Sequence, residues 1–368
     1  MTGSMGDRLD TLKGQTGAMV AALQTLVEAE SPSASPDGLA ACARKIGALF
    51  ESVLGRAPTA DGPHLMWSGG GASRVVLVGH YDTVWPMGTL ARWPFSITGD
   101  QATGPGAFDM KSGIVQLVYG LATLPSLDGV AVLLTADEET GSMTSRRLVE
   151  DTARGAIAAL VLEPSAGGAL KSARKGTGNY TLRVEGKAAH AGLEPEKGIN
   201  ALVALAEVVL AANTIGDAAV GTTVTPTVAA AGTATNVVPA LATAELDVRV
   251  WLPAEATRVD AAVRALRTSV PGALLEVEGG TNRPPMEPSD ALVAQAQACA
   301  ARLGIGDISA VAVGGGSDGN FTAAVGTPTL DGLGAVGDGA HAEGEHVVIS
   351  KMAERAALVA ELTADLLR

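Results

Sequence analysis

Arg74-Val-Val-Leu-Val-Gly79 is a short apolar run closed by glycine, and His80-Tyr81-Asp82 follows it at once. Unbroken apolar residues without alternation read as a strand buried on both faces. Val130 to Thr135 and Ala158 to Leu162 repeat the pattern. Helical spacing separates them, over Ser112 to Leu124 and Ser145 to Asp151. Upstream, Leu9 to Glu30 and Leu39 to Leu54 also read as helices, divided by Ser31-Pro32-Ser33. Buried strands alternating with helices predict an α/β fold, a mostly parallel sheet with helices on both faces.

The pattern changes near Gly176. Tyr180 to Glu185, Thr222 to Ala229 and Ala242 to Trp251 alternate as half-exposed strands do, and Leu274 to Glu278 completes the set. Helical patterns cover Gly198 to Ala212 and Ala254 to Ser269. After Pro284-Pro285 the α/β pattern resumes, with a helix over Ala291 to Leu303. The chain therefore reads as a discontinuous α/β domain, residues 1–175 and 286–368, interrupted by a four-stranded α+β insert over 176–285.

A length of 368 residues suits two domains. Only 3% of residues are aromatic, so the core must be built from Ala, Val and Leu. The net charge of −13, without a Lys/Arg cluster, excludes a nucleic-acid or anionic-membrane partner and means that an anionic substrate needs locally placed cations. Cys42 and Cys299 lie in Ala-rich helical patterns and read as buried apolar residues. Residues 1–12 lack an apolar leader core, and no apolar run is long enough to span a membrane, so a cytoplasmic protein is expected.

Charged groups gather at the carboxyl ends of the buried strands, where parallel sheets bind ligands. His80 and Asp82 follow the first strand, Glu138 and Glu139 the second, Glu163 the third. Asp109 precedes a helix and His341 sits in a late glycine-rich loop. Each alone has an ordinary structural reading. Together His, Asp, Glu, Glu and His suit zinc or a similar divalent ion, and two ions bridged by one carboxylate use five ligands naturally. Within Glu138-Glu139, one residue can bind metal while the other takes the proton of the attacking water.

The segments Gly79-His-Tyr-Asp-Thr-Val84, Gly104 to Gly113, Asp137-Glu-Glu-Thr-Gly-Ser142, Leu162-Glu-Pro164 and Ala188-Ala-His-Ala-Gly192 resemble those of the dizinc exopeptidase and deacylase family. Its members include aminoacylase, acetylornithine deacetylase, succinyl-diaminopimelate desuccinylase and glutamate carboxypeptidase. The resemblance implies two zinc ions per subunit, with cobalt or manganese as substitutes. It makes His80, Asp109, Glu139, Glu163 and His341 the ligands, with Asp109 as the bridge. Asp82 would orient His80, Glu138 would be the general base, and His190 would stabilise the oxyanion, often from a partner subunit. It further implies a homodimer formed through the insert, which acts as a lid. His341 fits the terminal ligand position better than His346; His64 matches no motif and reads as a surface residue.

Glu163, Trp85-Pro86, Thr233 to Ala240 and Asp247-Val-Arg249 resemble the glutamate carboxypeptidase branch most. That implies hydrolysis of the amide bond joining a C-terminal amino acid, such as glutamate, to a peptide or N-acyl group. Asn236 and Arg249 would hold the substrate carboxylate, Lys171 the glutamate side chain, and Arg283 would add a further cation. The loop Gly314 to Gly319, including Gly315, Gly316 and Ser317, would line the pocket. A deacylase or dipeptidase with another acyl group is the alternative within the family. Gly315-Gly-Ser-Asp-Gly319 also fits the nucleophile-elbow pattern, with Asp331 or Asp338 and His341 downstream, so a serine hydrolase using Ser317 is a rival. That rival leaves His80, Asp109, Glu139 and Glu163 unexplained. A catalytically dead binding protein is disfavoured because every expected ligand and the base are present.

Overall fold

A computed structural model describes residues 5–368. It divides the chain into two units: the residues up to Ala173 with Glu287–Val313 and Ser317–Arg368, and Arg174–Met286 with Gly314–Gly316.

The first unit is built on a six-stranded sheet in the order Thr59–Asp61, His64–Ser68, Val130–Thr135, Val75–His80, Ala158–Val161, Thr329–Leu330. The last four strands run parallel, and the first two form an antiparallel hairpin at one edge. Every residue of Val75–His80, Val130–Thr135 and Ala158–Val161 is buried, as unbroken Val/Ala/Leu runs require. Helices Ser112–Leu121 and Ile349–Leu367 pack closely, and a Cβ on Gly120 would lie 2.5 Å from the Ala356 carbonyl oxygen. Helix Pro36–Leu54 starts with Ser35 accepting from the Gly38 amide and Pro36 in the first turn, and ends at Gly55 in the left-handed region. Cys42 and Cys299 are buried, as expected, and neither is in a disulfide; Cys299 Sγ accepts from Arg302 Nη2 at 3.1 Å.

The expected helix Leu9 to Glu30 is two helices, Met5–Gly14 and Thr16–Val27, broken beside Gly14, where glycine costs a helix most. A small sheet, Gly337–Asp338, His346–Val348, Gln101–Thr103 and Ser96–Thr98, was not expected. Its short strands lie below the length at which alternation can be read. No helix among the described residues is long and apolar enough to cross a membrane.

The second unit is an antiparallel sheet in the order Thr223–Ala231, Leu241–Val250, Gly176–Glu185, Leu274–Arg283. Alternate residues Tyr180, Leu182 and Val184 are buried with Ala204, Leu205 and Val208 of helix Ala201–Ala212, and with Val259 and Val263 of helix Pro253–Arg264. That second helix stops before the expected Ser269. Thr268 and Ser269 turn instead to donate hydrogen bonds to the Glu207 carboxylate.

Candidate metal centre

Five chain segments converge at the carboxyl edge of the first sheet. His80 ends strand Val75–His80, Glu138 and Glu139 occupy one turn shortly after Val130–Thr135, and Glu163 follows Ala158–Val161. Asp109 lies in the irregular turn Ala107–Lys111 before helix Ser112–Leu121, and its peptide bond to Met110 is cis. His341 lies in the loop between Gly337–Asp338 and His346–Val348, at φ +62. A non-glycine residue there is held by its surroundings, a common feature of functional sites.

The Asp109 carboxylate stands between the two histidines. Its Oδ1 is 3.3 Å from His80 Nε2 and its Oδ2 is 3.4 Å from His341 Nε2. His80 Nε2 is also 3.4 Å from Glu163 Oε1, and His341 Nε2 is 3.2 Å from Glu139 Oε2. A tetrahedral ion with bonds of ~2.0–2.1 Å spaces its ligands roughly 3.3–3.4 Å apart, so these separations fit nitrogen and oxygen ligands around divalent ions. Glu139 Oε1 is buried without a hydrogen-bond partner, a lone pair that a cation would satisfy. Ligand atoms of His80, Glu138 and Glu163 also lie within 4.8 Å of one another, as do those of His80, Asp109 and Glu139.

Electrostatics point the same way. Burial works against a charged His80, but Asp109, Asp82, Glu163 and Glu138 outweigh it and hold the imidazole well above its ordinary pKa. Asp109 and Glu139 lift His341 to about 10. Burial would raise Asp109, yet His341 and His80 hold it far below the usual carboxylate range. Glu139 moves up instead: its burial outweighs the histidines beside it, and Asp109 repels it. The cluster demands positive charge, which protons on its histidines supply in part.

Asp82 is the hub of this edge. Its main-chain carbonyl is 3.0 Å from His80 Nδ1, and Oδ1 is 3.4 Å from the same nitrogen. An acceptor there places the proton on Nδ1 and leaves the Nε2 lone pair for a ligand bond. The carboxylate also accepts from the amides of Glu138 (3.3 Å) and Glu139 (3.2 Å) and from the Ser33 hydroxyl (2.6 Å). Ser33 was not anticipated, because 49 residues separate it from Asp82 and no spacing betrays the contact.

The expectation that His64 lies on the surface is wrong: it is 4% exposed. Its Nδ1 accepts from the Ala136 amide and its Nε2 lies 3.1 Å from Thr144 Oγ1, bracing the chain just before Glu138. His346 belongs to a strand, with Nδ1 3.1 Å from the Gly344 carbonyl oxygen. The Ser317 rival fails on geometry. Its hydroxyl is fully buried and donates to Asp331 Oδ2 at 2.6 Å, while His341 faces Asp109 and Glu139. Within the loop expected to line a pocket, the Ser317 side chain is thus turned into the interior. Lys171 is partly buried, its backbone bridged to Asp331.

The remaining expected residues lie in the second unit and form two groups. His190 and Asn236 share one irregular ladder, where the Ala191 amide donates to the Asn236 carbonyl. His190 Nδ1 accepts from the amides of Gly192 and Leu193, so its Nε2 carries the proton and can donate it. Arg249 and Arg283 both pair with Thr177, at the opposite end of the sheet. The Arg249 guanidinium grips Asp247, with Nη2 2.7 Å from Oδ2. Gly315 and Gly316 offer their carbonyls to Arg174.

Residues 76–365 match the family described as Peptidase family M20/M25/M40. Carboxypeptidase G2 from Pseudomonas sp. (strain RS-16) is 32% identical, covering 95% of this chain and 89% of the relative. Succinyl-diaminopimelate desuccinylase from Caulobacter vibrioides is 31% identical over 57% of this chain and 56% of its own. Among solved structures, aminopeptidase PepT from Bacillus cereus superposes with a TM-score of 0.76 at 21% identity, covering 96% of this chain and 99% of that one. The M20 family metallo-carboxypeptidase Sso-CP2 from Sulfolobus solfataricus gives 0.75 at 16% identity, covering 94% and 98%.

Proposed function

This chain belongs to peptidase family M20/M25/M40 and is a metal-dependent hydrolase, and from that premise we propose that it uses two zinc ions to release a C-terminal amino acid, glutamate foremost, from a peptide or N-acyl group. The observation that carries the proposal is the Asp109 carboxylate, which turns one oxygen to His80 and the other to His341. His80, Glu163 and Asp109 would hold one ion, and His341, Glu139 and Asp109 the other. Asp109, Glu138, Glu139 and Glu163 bring four negative charges, which two divalent ions balance. Bound there, the ions supply Lewis-acid polarisation and make water nucleophilic near neutral pH.

The chain's own residues do the rest. Glu138 takes the proton of the attacking water and delivers it to the leaving nitrogen. Asp82 fixes His80 and the Glu138-Glu139 turn together. His190, with its proton on Nε2, donates to the oxygen that becomes negative as the carbonyl is attacked. Asn236 and Arg249 are assigned to the substrate carboxylate, with Arg283, Lys171 and the Gly315-Gly316 backbone as further contacts. The near relative is a carboxypeptidase by name, which supports this substrate class.

The geometry of the second unit favours two copies. Strand Leu241–Val250 alone separates Arg249 from Leu241 by ~27 Å at 3.4 Å per residue, and Asn236 lies beyond Leu241. One carboxylate cannot touch both from the same unit. The outer strand Thr223–Ala231 is an edge, with Val228 62% exposed. Helix Ala201–Ala212 turns Leu202, Val203 and Leu210 outward. We assign these surfaces to a homodimer in which His190 and Asn236 serve the partner's metal centre.

Two measurements test this. N-acyl-glutamates with a free carboxylate should be cleaved at least about a hundredfold faster than their α-amides, whereas equal rates would remove the carboxylate site. Mixing inactive Glu138→Ala with inactive His190→Ala and allowing subunit exchange should restore about a quarter of wild-type activity if His190 acts across the dimer, and none if it acts within its own chain.

A further inference from the structure

Glu345 has no part in the assignments above, yet it is fully buried and all of its acceptor positions are filled. Oε1 accepts from the amides of Phe108 at 2.7 Å and Asp109 at 2.9 Å. Oε2 accepts from the Gly106 amide at 3.1 Å and the Trp85 indole Nε1 at 2.9 Å. Four donors match the four lone-pair directions of a carboxylate, which leaves none for a metal.

The reason lies in the backbone of the Asp109 turn. Gly106 sits at φ +74, and Asp109 (φ −112, ψ 97) and Met110 (φ −132, ψ 32) are not helical. Within this turn the Ala107 and Lys111 amides donate to the Gly104 and Gly106 carbonyls, whereas those of Gly106, Phe108 and Asp109 go to Glu345, and buried amides need such an acceptor. Glu345 is four residues beyond His341 in the same loop, and strand His346–Val348, which follows it, pairs with Gln101–Thr103, which leads into the Asp109 turn. One carboxylate thus ties the loop carrying His341 to the turn carrying Asp109, and it grips the amide of Asp109 itself.

We propose that Glu345 is a positioning residue for the metal centre: by clamping the Gly106, Phe108 and Asp109 amides and the Trp85 indole, it holds the Asp109 carboxylate between His80 and His341. The proposal rests on the reading of Asp109 as the bridging ligand. Trp85 thereby joins the same clamp and stabilises it from the loop that follows Asp82.

The test uses the full-length protein stripped of metal and titrated with Co2+, followed by its visible absorption, and with Zn2+ against a chromophoric competitor. Glu345→Gln keeps the shape but turns an amide NH2 towards backbone donors. The expected result is a ten- to hundredfold loss of Zn2+ affinity, the scale seen when groups that orient ligands are removed. A shifted Co2+ spectrum should accompany it, and kcat should fall more than KM rises. An unchanged spectrum and affinity in a folded Glu345→Gln variant would overturn the proposal. If that variant does not fold, Trp85→Phe decides: it removes one of four donors and should shift the Co2+ spectrum with a smaller loss of affinity, and no shift overturns the proposal. Wild-type protein that binds fewer than two ions per chain would instead count against the dizinc reading, so the two failures are distinguishable.

Discussion

Glu138→Ala is expected to lose a hundredfold to ten-thousandfold in kcat, the range of general-base catalysis, while retaining the metal content of the wild type. The two adjacent glutamates are divided by what they face. Glu139 reaches His341 with Oε2 and buries Oε1 without a hydrogen-bond partner. Glu138, 8% exposed, comes within 4.8 Å of the ligand atoms of His80 and Glu163. Asp82 receives both of their amides, so removing one side chain leaves the turn anchored. Metal analysis beside steady-state kinetics checks the assignment. Loss of an ion together with activity would make Glu138 a ligand and send the search for the base elsewhere.

Asp109→Ala should have an effect at least as broad, reaching metal binding as well as turnover. One oxygen faces each histidine, so its removal undoes both halves of the centre. Metal-ion catalysis contributes several kcal/mol, and each ~1.4 kcal/mol is a factor of ten, so activity should fall by about a thousandfold or more. The pH dependence of metal uptake is a second readout. In metal-free protein His80 is held above its ordinary pKa and His341 is lifted to about 10, so His341 carries a proton at neutral pH. A ligand nitrogen must give up its proton, so uptake releases protons and tightens as pH rises towards the His341 value. Removing Asp109 takes away a leading cause of both raised values and should weaken that linkage. Calorimetry in buffers of different ionisation enthalpy measures it.

The fold was legible where hydrophobicity is unbroken. Val75–His80, Val130–Thr135 and Ala158–Val161 are buried at every residue, and runs of that kind have few other readings. The hairpin Thr59–Asp61 with His64–Ser68 was not legible, because its outer strand is exposed throughout. Within the site, the residues whose chemistry is scarce stood out: histidines and acids at strand ends. Residues that act through them did not. Ser33 and Glu345 reach their partners from 49 and 236 residues away in the chain, and His64 looked like a surface residue because nothing local shows the Ala136 amide it receives. Arg249 shows the converse limit. Its chemistry suits a carboxylate, and the structure adds what the sequence hides: Asp247 grips the same guanidinium, so a substrate carboxylate bound there would share or displace that partner.

The most direct test is a metal titration read by turnover. Protein stripped by a chelator is titrated with Zn2+, and release of glutamate from an N-acyl-glutamate is followed at each step. The expected result is no turnover without metal and a plateau at two ions per chain, reached with Ser317→Ala as with the wild type. Turnover that survives stripping, or that reaches its plateau at one ion per chain, would contradict the two-metal mechanism.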